Sequence, residues 1–238
     1  NSYIKKKIFK FFYYLADEII VNSLSFKREL KSNLDLRSLL IYNSLSNISK
    51  DKKISYFKKF KKLKIINIGR LTDQKDQIIL LKGLNLLIKK KINFRCCIIG
   101  EGKKKKELQD FIERNKLNKN VKLIGYKKNA EDYLRSGDLF ILSSKYEGLP
   151  NVLIEAQSKG VPIISSDCPT GAREILLNGK LGDLFPVGDY KKLSFLISKF
   201  NSSKKRLLRL SKKSKKYLNK FDFKTNCLKY KKILEIYI

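Results

Sequence analysis

Short apolar runs alternate with longer stretches whose apolar positions recur every three or four residues, from Lys64 nearly to the end of the chain. The runs at 65–68, 94–99, 121–124, 139–142 and 161–165 predict strands, continuous enough in Ile, Leu, Val, Phe and Cys to be buried on both faces. Between and after them, 76–90, 103–115, 130–135, 152–158, 190–200 and 203–218 predict helices, with a helical turn at 172–176. Strands of that kind separated by amphipathic helices call for a parallel sheet covered by helices on both faces, an α/β architecture.

Ahead of this alternation, residues 3–15 set Ile4, Ile8, Phe11 or Phe12 and Leu15 at helical spacing opposite Lys5, Lys6, Lys7 and Lys10. Residues 18–21 read as a short strand, and Ser25 as the cap of a helix running through Leu30. Residues 46–62 are polar and Lys-rich and read as a linker with a lead-in. At the far end, a helix from Phe221 onward gathers Phe223, Cys227, Tyr230, Ile233 and Leu234 on one face.

Composition narrows the classes. With 238 residues and 42% hydrophobic content the chain can bury one substantial domain and extra pieces. No run of about 20 apolar residues suggests a membrane span. The 54 basic residues against 22 acidic give a net charge of +32, which raises nucleic acid or an anionic membrane as a partner. Yet the Lys are spread over every segment beside abundant Ile, Asn, Phe and Tyr, which fits a genome-wide codon bias better than a binding footprint. No aromatic platform or recognition helix accompanies them, so nucleic acid is not expected. Lys103 to Lys106 read as a solvated helix face, with attraction to acidic lipid as the second reading. His is absent, which excludes a His-based triad and His-ligated zinc. Cys96 and Cys97 lie in a strand-like run where burial is the plain explanation, and no C-x-x-C occurs, as in a reduced, cytoplasmic setting. The chain starts at Asn1 and contains no Met, so it reads as processed or as a piece of something longer.

One stretch interrupts the alternation with chemistry: Lys145-Tyr146-Glu147-Gly148-Leu149-Pro150-Asn151-Val152-Leu153-Ile154-Glu155-Ala156. Gly148 and Pro150 break any regular element, Asn151 is a good N-cap, and a helix then runs to a stop at Gly160. Glu147 is therefore expected in a loop and Glu155 on the helix behind it. The N–H groups at such a helix start, with the positive end of the macrodipole, attract anions such as phosphates.

The two Glu with seven residues between them, followed by Gly160-Val161-Pro162-Ile163-Ile164, resemble the E-x7-E signature of retaining GT-B glycosyltransferases, in particular glycosyltransferase family 4. Other residues agree with that resemblance. Gly69-Arg70-Leu71 and Lys75 match the family's G-R-L-x-x-x-K pattern, and Ala16 to Ser23 resembles the close of its acceptor domain. Thr170-Gly171-Ala172-Arg173-Glu174-Ile175 resembles its G-G-x-x-E-I run, with Thr in place of the first Gly. The resemblance implies a Rossmann-like donor-binding domain at 46–220, a remnant of the N-terminal acceptor domain at 1–45 and a C-terminal return helix at 221–238. Most of the acceptor half would then be missing.

What the resemblance implies for chemistry is a nucleoside diphosphate sugar as donor, a hexose-type sugar transferred with retention to a glycan or lipid-linked acceptor, and no metal or other cofactor. Arg70 and Lys75 would neutralise the leaving diphosphate, a planar fork and a point charge doing what a metal does elsewhere. Glu155 would hold the ribose hydroxyls, and Glu147 the hydroxyls of the transferred sugar, with the backbone at Gly148, Leu149, Pro150 and Asn151 helping to orient it. Gly69 would be a donor-binding residue beside them, and Tyr126 either contacts the base or simply packs in its loop. Thr170 to Ile175 would shape the pocket wall. Asp138 and Ser144 read as capping or loop hydrogen bonds, and Gly100-Glu101-Gly102 as a tight turn into the next helix. A glycosidase-like pair of carboxylates ~5–5.5 Å apart is the weaker reading of the two Glu. A nucleotide-sugar epimerase of the same fold and a non-catalytic donor-binding subunit are the alternatives. A separate acceptor-domain subunit could complete the chain, docking on the amphipathic N-terminal and C-terminal helices, and peripheral association with an anionic membrane is a further possibility for the first of them.

Overall fold

The structure, a computed structural model, describes residues 2–45, 54, 56–57 and 60–237, with side chains from residue 7 onward. Most of the linker expected at 46–62 lies outside the described residues.

Six parallel strands form the main sheet: β3 (Leu63–Ile68), β4 (Phe94–Ile99), β5 (Val121–Leu123), β6 (Leu139–Leu142), β7 (Ile163–Ser166) and β8 (Asp183–Phe185), in the order β5-β4-β3-β6-β7-β8. Their side chains alternate strictly between two apolar layers. Leu63, Ile65, Phe94, Cys96, Ile98, Leu139 and Ile141 face one core, and Ile66, Cys97, Ile99, Phe140 and Leu142 face the other. Most positions of the central strands are therefore apolar, which is why the sequence shows runs rather than alternation. The first core is closed by α3 (Gln77–Lys89), α4 (Lys105–Arg114), α7 (Tyr190–Ser202) and α8 (Lys205–Ser214), and the second by α5 (Asn151–Ser158), α6 (Ala172–Ile175) and the 3-10 turns Ala130–Ser136 and Lys215–Phe221. This is the expected Rossmann-like architecture. Fully burying a Leu or Phe is worth about 1.5–3 kcal/mol each, so the two layers supply the stability. Cys96 and Cys97 are both buried and free, on opposite faces.

The N-terminal segment carries α1 (Ser2–Tyr14), β1 (Ile20–Val21), α2 (Leu24–Leu34) and β2 (Leu39–Leu40). β1 and β2 pair in parallel, and Val21, Leu30 and Leu36 make a small core of their own. α2 is capped by Ser23, whose hydroxyl accepts from the Phe26 amide, so the helix starts earlier than Ser25 and runs past Leu30. The chain crosses out of this segment beside the point where it later returns: the Leu45 amide donates to the Phe221 carbonyl at 3.0 Å. Tyr42 meets the Phe221 ring edge-on.

Several expectations shift. The strand at 161–165 is displaced to Ile163–Ser166, the helix at 203–218 ends at Ser214 and continues as a 3-10 turn, and β2 and β8 were not anticipated. The last helix, α9 (Phe223–Leu234), leaves Phe223, Tyr230 and Leu234 about half exposed and buries Asn226 instead, whose amide donates to the Lys220 carbonyl. Its apolar stripe has no covering layer among the described residues. The same holds for α1, where Ile8, Phe9, Phe11 and Phe12 are exposed. No described helix is long and apolar enough to cross a membrane.

Candidate functional site

The strand order reverses at β3. From β3 the chain moves outward through β4 and β5, then returns to place β6 on the other side of β3. Loops leaving the carboxyl ends of β3 and β6 therefore diverge and open a crevice, the place where ligands bind in open α/β sheets. The loop after β3 holds Gly69, Arg70 and Lys75; the loop after β6 holds Ser143 to Pro150.

These loops are joined by side chains. Lys75 Nζ donates to Glu147 Oε1 at 2.6 Å, and Ser144 Oγ donates to the same oxygen at 2.6 Å. Ser143 Oγ donates to the Lys75 carbonyl, the Lys145 amide to the Gln74 carbonyl, and Gln74 Nε2 to the Tyr146 carbonyl. A third loop, after β7, adds the Thr170 hydroxyl on the Glu147 carbonyl, and Ser166 Oγ donates to the Ser144 carbonyl. Glu147 is thereby held at both its carboxylate and its backbone. Its side chain is only 7% exposed and that of Lys75 16%, so the pair works in a medium of lower polarity than water.

The rim on the β4 side is made of backbone. The Gly69 amide donates to Ile99, Leu71 to the Glu101 carbonyl, Lys104 to Leu71, and Gly100 to Gly125. The loops approach so closely that a Cβ on Gly100 would stand 2.0 Å from the Gly69 carbonyl oxygen, and one on Gly102 2.4 Å from that of Leu71. Gly100-Glu101-Gly102 is thus more than a turn into α4: it is the surface on which the Arg70 loop rests. Arg70 itself is exposed, its carbonyl accepting from Gln77 Nε2 at 3.0 Å. Tyr126, past the end of β5, is 70% exposed, so loop packing does not account for it.

Asn151 departs from its expected role. Pro150 occupies the cap position of α5 and Asn151 is the first helical residue, its side-chain oxygen accepting from Asn43 Nδ2 at 3.0 Å. Leu149 and Pro150 are buried, and the Leu149 side chain belongs to the second core, so only their backbone can serve a ligand. Gly148 is exposed, with nothing within 4 Å of where a Cβ would be. Glu155, half-buried one turn into α5, has its carboxyl held above the ordinary range, first by burial and then by Glu131, with Lys159 pulling the other way. Glu147 and Glu155 thus sit in different surroundings, one ion-paired and one facing the 3-10 turn after β5. Ser144 serves as a loop hydrogen-bond donor and Asp138 as an acceptor for the Lys64 amide, as their positions suggested. The roles of Ser143, Gln74 and Ser166 were missed; the paired Ser at the ends of two apolar strands were the available signal.

A parallel sheet with a polar cluster at its switch point defines a Rossmann-like α/β architecture. The crystal structure of Anabaena HepE in complex with UDP and glucose superposes with a TM-score of 0.80 over 92% of this chain and 63% of that one, at 21% identity. The family model described as Glycosyl transferases group 1 matches residues 49–217, and the chain belongs to that family. An uncharacterized glycosyltransferase of Methanocaldococcus jannaschii is 39% identical over 180 residues, covering 71% of this chain and 44% of that protein. The amylovoran biosynthesis glycosyltransferase AmsD of Erwinia amylovora is 30% identical over 177 residues, 72% of this chain and 49% of its own. The chain spans about half the length of these curated relatives.

Proposed function

We propose that this chain is the donor-binding part of a retaining glycosyltransferase of family 4 that moves a hexose-type sugar from a nucleoside diphosphate sugar to a glycan or lipid-linked acceptor. The observation that carries the reading is the Lys75–Glu147 contact across the switch point, which puts a cation and a carboxylate within one hydrogen bond of each other. An ammonium has three donors. Lys75 can therefore keep Glu147 in place and still give two N–H groups to a diphosphate, while exposed Arg70 closes on it from the rim. HepE, similar in fold, was crystallised with UDP and glucose, which supports a nucleotide sugar as ligand.

In this reading Glu155 accepts from both ribose hydroxyls, and the exposed Tyr126 ring offers the base a face. Glu147 and the α5 start orient the sugar. The bond from the anomeric carbon to the diphosphate breaks, an acceptor hydroxyl attacks from the same face, and its proton passes to the leaving phosphate oxygen. Arg70 and Lys75 meet the charge that develops on that oxygen, the kind of fixed electrostatic contribution that costs ~2.7–4 kcal/mol per donor removed. No metal or further cofactor is assigned a part. The acceptor site belongs to chain or subunit beyond the 46–220 domain.

A thermal-shift panel of nucleotide sugars tests this, beginning with UDP-glucose. At a hundred times its Kd a donor stabilises by ~2.7 kcal/mol. Wild type should shift, and Arg70→Ala and Glu155→Ala should lose most of the shift; equal shifts in all three proteins would remove the site.

A further inference from the structure

Glu174 is the one acidic residue of α6, and its carboxylate reaches the N-terminal segment. It accepts from the amides of Leu24 at 2.9 Å and Ser25 at 3.4 Å, the first turn of α2, and from the Tyr42 hydroxyl. These partners lie up to 150 residues away in sequence. A carboxylate at a helix start answers both the unpaired N–H groups and the positive end of the macrodipole.

The other end of the same short element grips the Glu147 loop. The Thr170 hydroxyl bonds the Glu147 carbonyl, and a Cβ on Gly171 would stand 2.2 Å from the Gly148 carbonyl oxygen and 2.5 Å from Pro150 Cδ. Thr170 and Gly171 both hold positive φ, at 66° and 63°. Turning the chain this sharply sets α6 directly against the loop. A second polar arm runs parallel to the first: Asn22 Nδ2 to Asn43 Oδ1 at 3.3 Å, and Asn43 Nδ2 to Asn151 Oδ1 at 3.0 Å.

We propose that Glu174 is a positioning residue: through α6 and Thr170 it ties the N-terminal segment to the Glu147 loop, so that the docking of one sets the geometry of the other. Its bearing on transfer rests on the donor reading above, since Glu147 is there the sugar contact. The N-terminal segment then fixes how the crevice is presented to the second substrate, and Glu174 is the charged residue through which it does so, beside the neutral Asn43–Asn151 arm.

Hydrogen exchange followed by mass spectrometry tests the tie in the intact chain. Glu174→Gln, which exchanges a charged acceptor for a neutral one, should speed exchange at Leu24 and Ser25 by roughly tenfold, and should also speed the peptide covering 145–153. Thr170→Val should speed 145–153 and leave 24–25 protected. Tyr42→Phe, which keeps the ring against Phe221, should act in the same direction as Glu174→Gln but less, and carries the test if that variant does not fold. The peptide covering 94–99 reports an intact sheet. Faster exchange at 24–25 with 145–153 unchanged would mean that Glu174 only caps α2, and would overturn the proposal. Failure of UDP-glucose to protect 145–153 in the wild type counts against the donor site and leaves the tie standing.

Discussion

Lys75 and Glu147, separated by 72 residues in sequence, meet at 2.6 Å on the two sides of the crevice where the sheet reverses its strand order. Both are largely buried, so neither can lose the other without consequence. Lys75→Ala leaves the Glu147 carboxylate with Ser144 as its remaining side-chain donor, and the expected cost is ~3 kcal/mol. Glu147→Gln leaves a neutral amide that can still be bonded and should cost only ~1 kcal/mol. Urea unfolding with unchanged slope measures the difference; equal costs would mean that the pair is not screened from water as its burial indicates.

Glu155 gives a pH dependence of known sign. Burial raises its carboxyl above the ordinary 4.5. The folded chain then binds more protons than the unfolded one between 4.5 and the raised value, so this residue's contribution to stability is full below 4.5 and falls as pH rises through the folded pKa. Glu155→Gln should flatten that decline, with a stability gain at pH 7 and little change at pH 4. In the donor reading the ionised carboxylate is the acceptor for ribose, so wild-type donor affinity should rise over the same interval. Calorimetric titration at pH 5 and pH 7 reads this.

Glycines around the crevice differ in how much a side chain would cost, since Gly100 and Gly102 combine a positive φ with close backbone and Gly148 has neither. Gly100→Ala and Gly102→Ala each drive a Cβ into backbone of the loop after β3, and each should cost ~2 kcal/mol or more. Gly148→Ala meets open space and should stay within ~0.5 kcal/mol of wild type. Thermal unfolding of the three variants distinguishes them.

Tyr126→Ala should leave stability unchanged within ~0.5 kcal/mol because the ring is mostly in solvent. If the ring stacks on the donor base, affinity for UDP-glucose falls by ~1–3 kcal/mol. Unchanged affinity would assign the base to another contact.

The legibility of the chain followed the range of the forces involved. β4 and β6 stand at 94–99 and 139–142, the limits their apolar runs implied, because a strand buried on both faces leaves a nearly continuous apolar record, broken here only by Arg95 at the start of β4. β8 left none: three residues, one of them Asp183, flanked by Gly182 and Pro186. The apolar stripes of α1 and α9 were visible, but periodicity says that a face is apolar and not what covers it. Lys75 and Glu147 could be named because each sits in a local motif. Their mutual contact, like those of Asn43 with Asn151 and Glu174 with Leu24, joins distant positions and has no local signature. Asn151 was misassigned for that reason: a residue suited to capping was taken by a partner 108 positions away.

The backbone stitching among the ends of β3, β4 and β5 has a consequence for variation. Arg70 and Tyr126 project from a frame whose shape is fixed by main-chain atoms and by glycines, not by their own side chains. On the proposed donor reading, a combinatorial library at those two positions can therefore be searched for new nucleotide preferences with the scaffold held constant. The same library at Glu147 would disturb Lys75, Ser144 and Thr170 together.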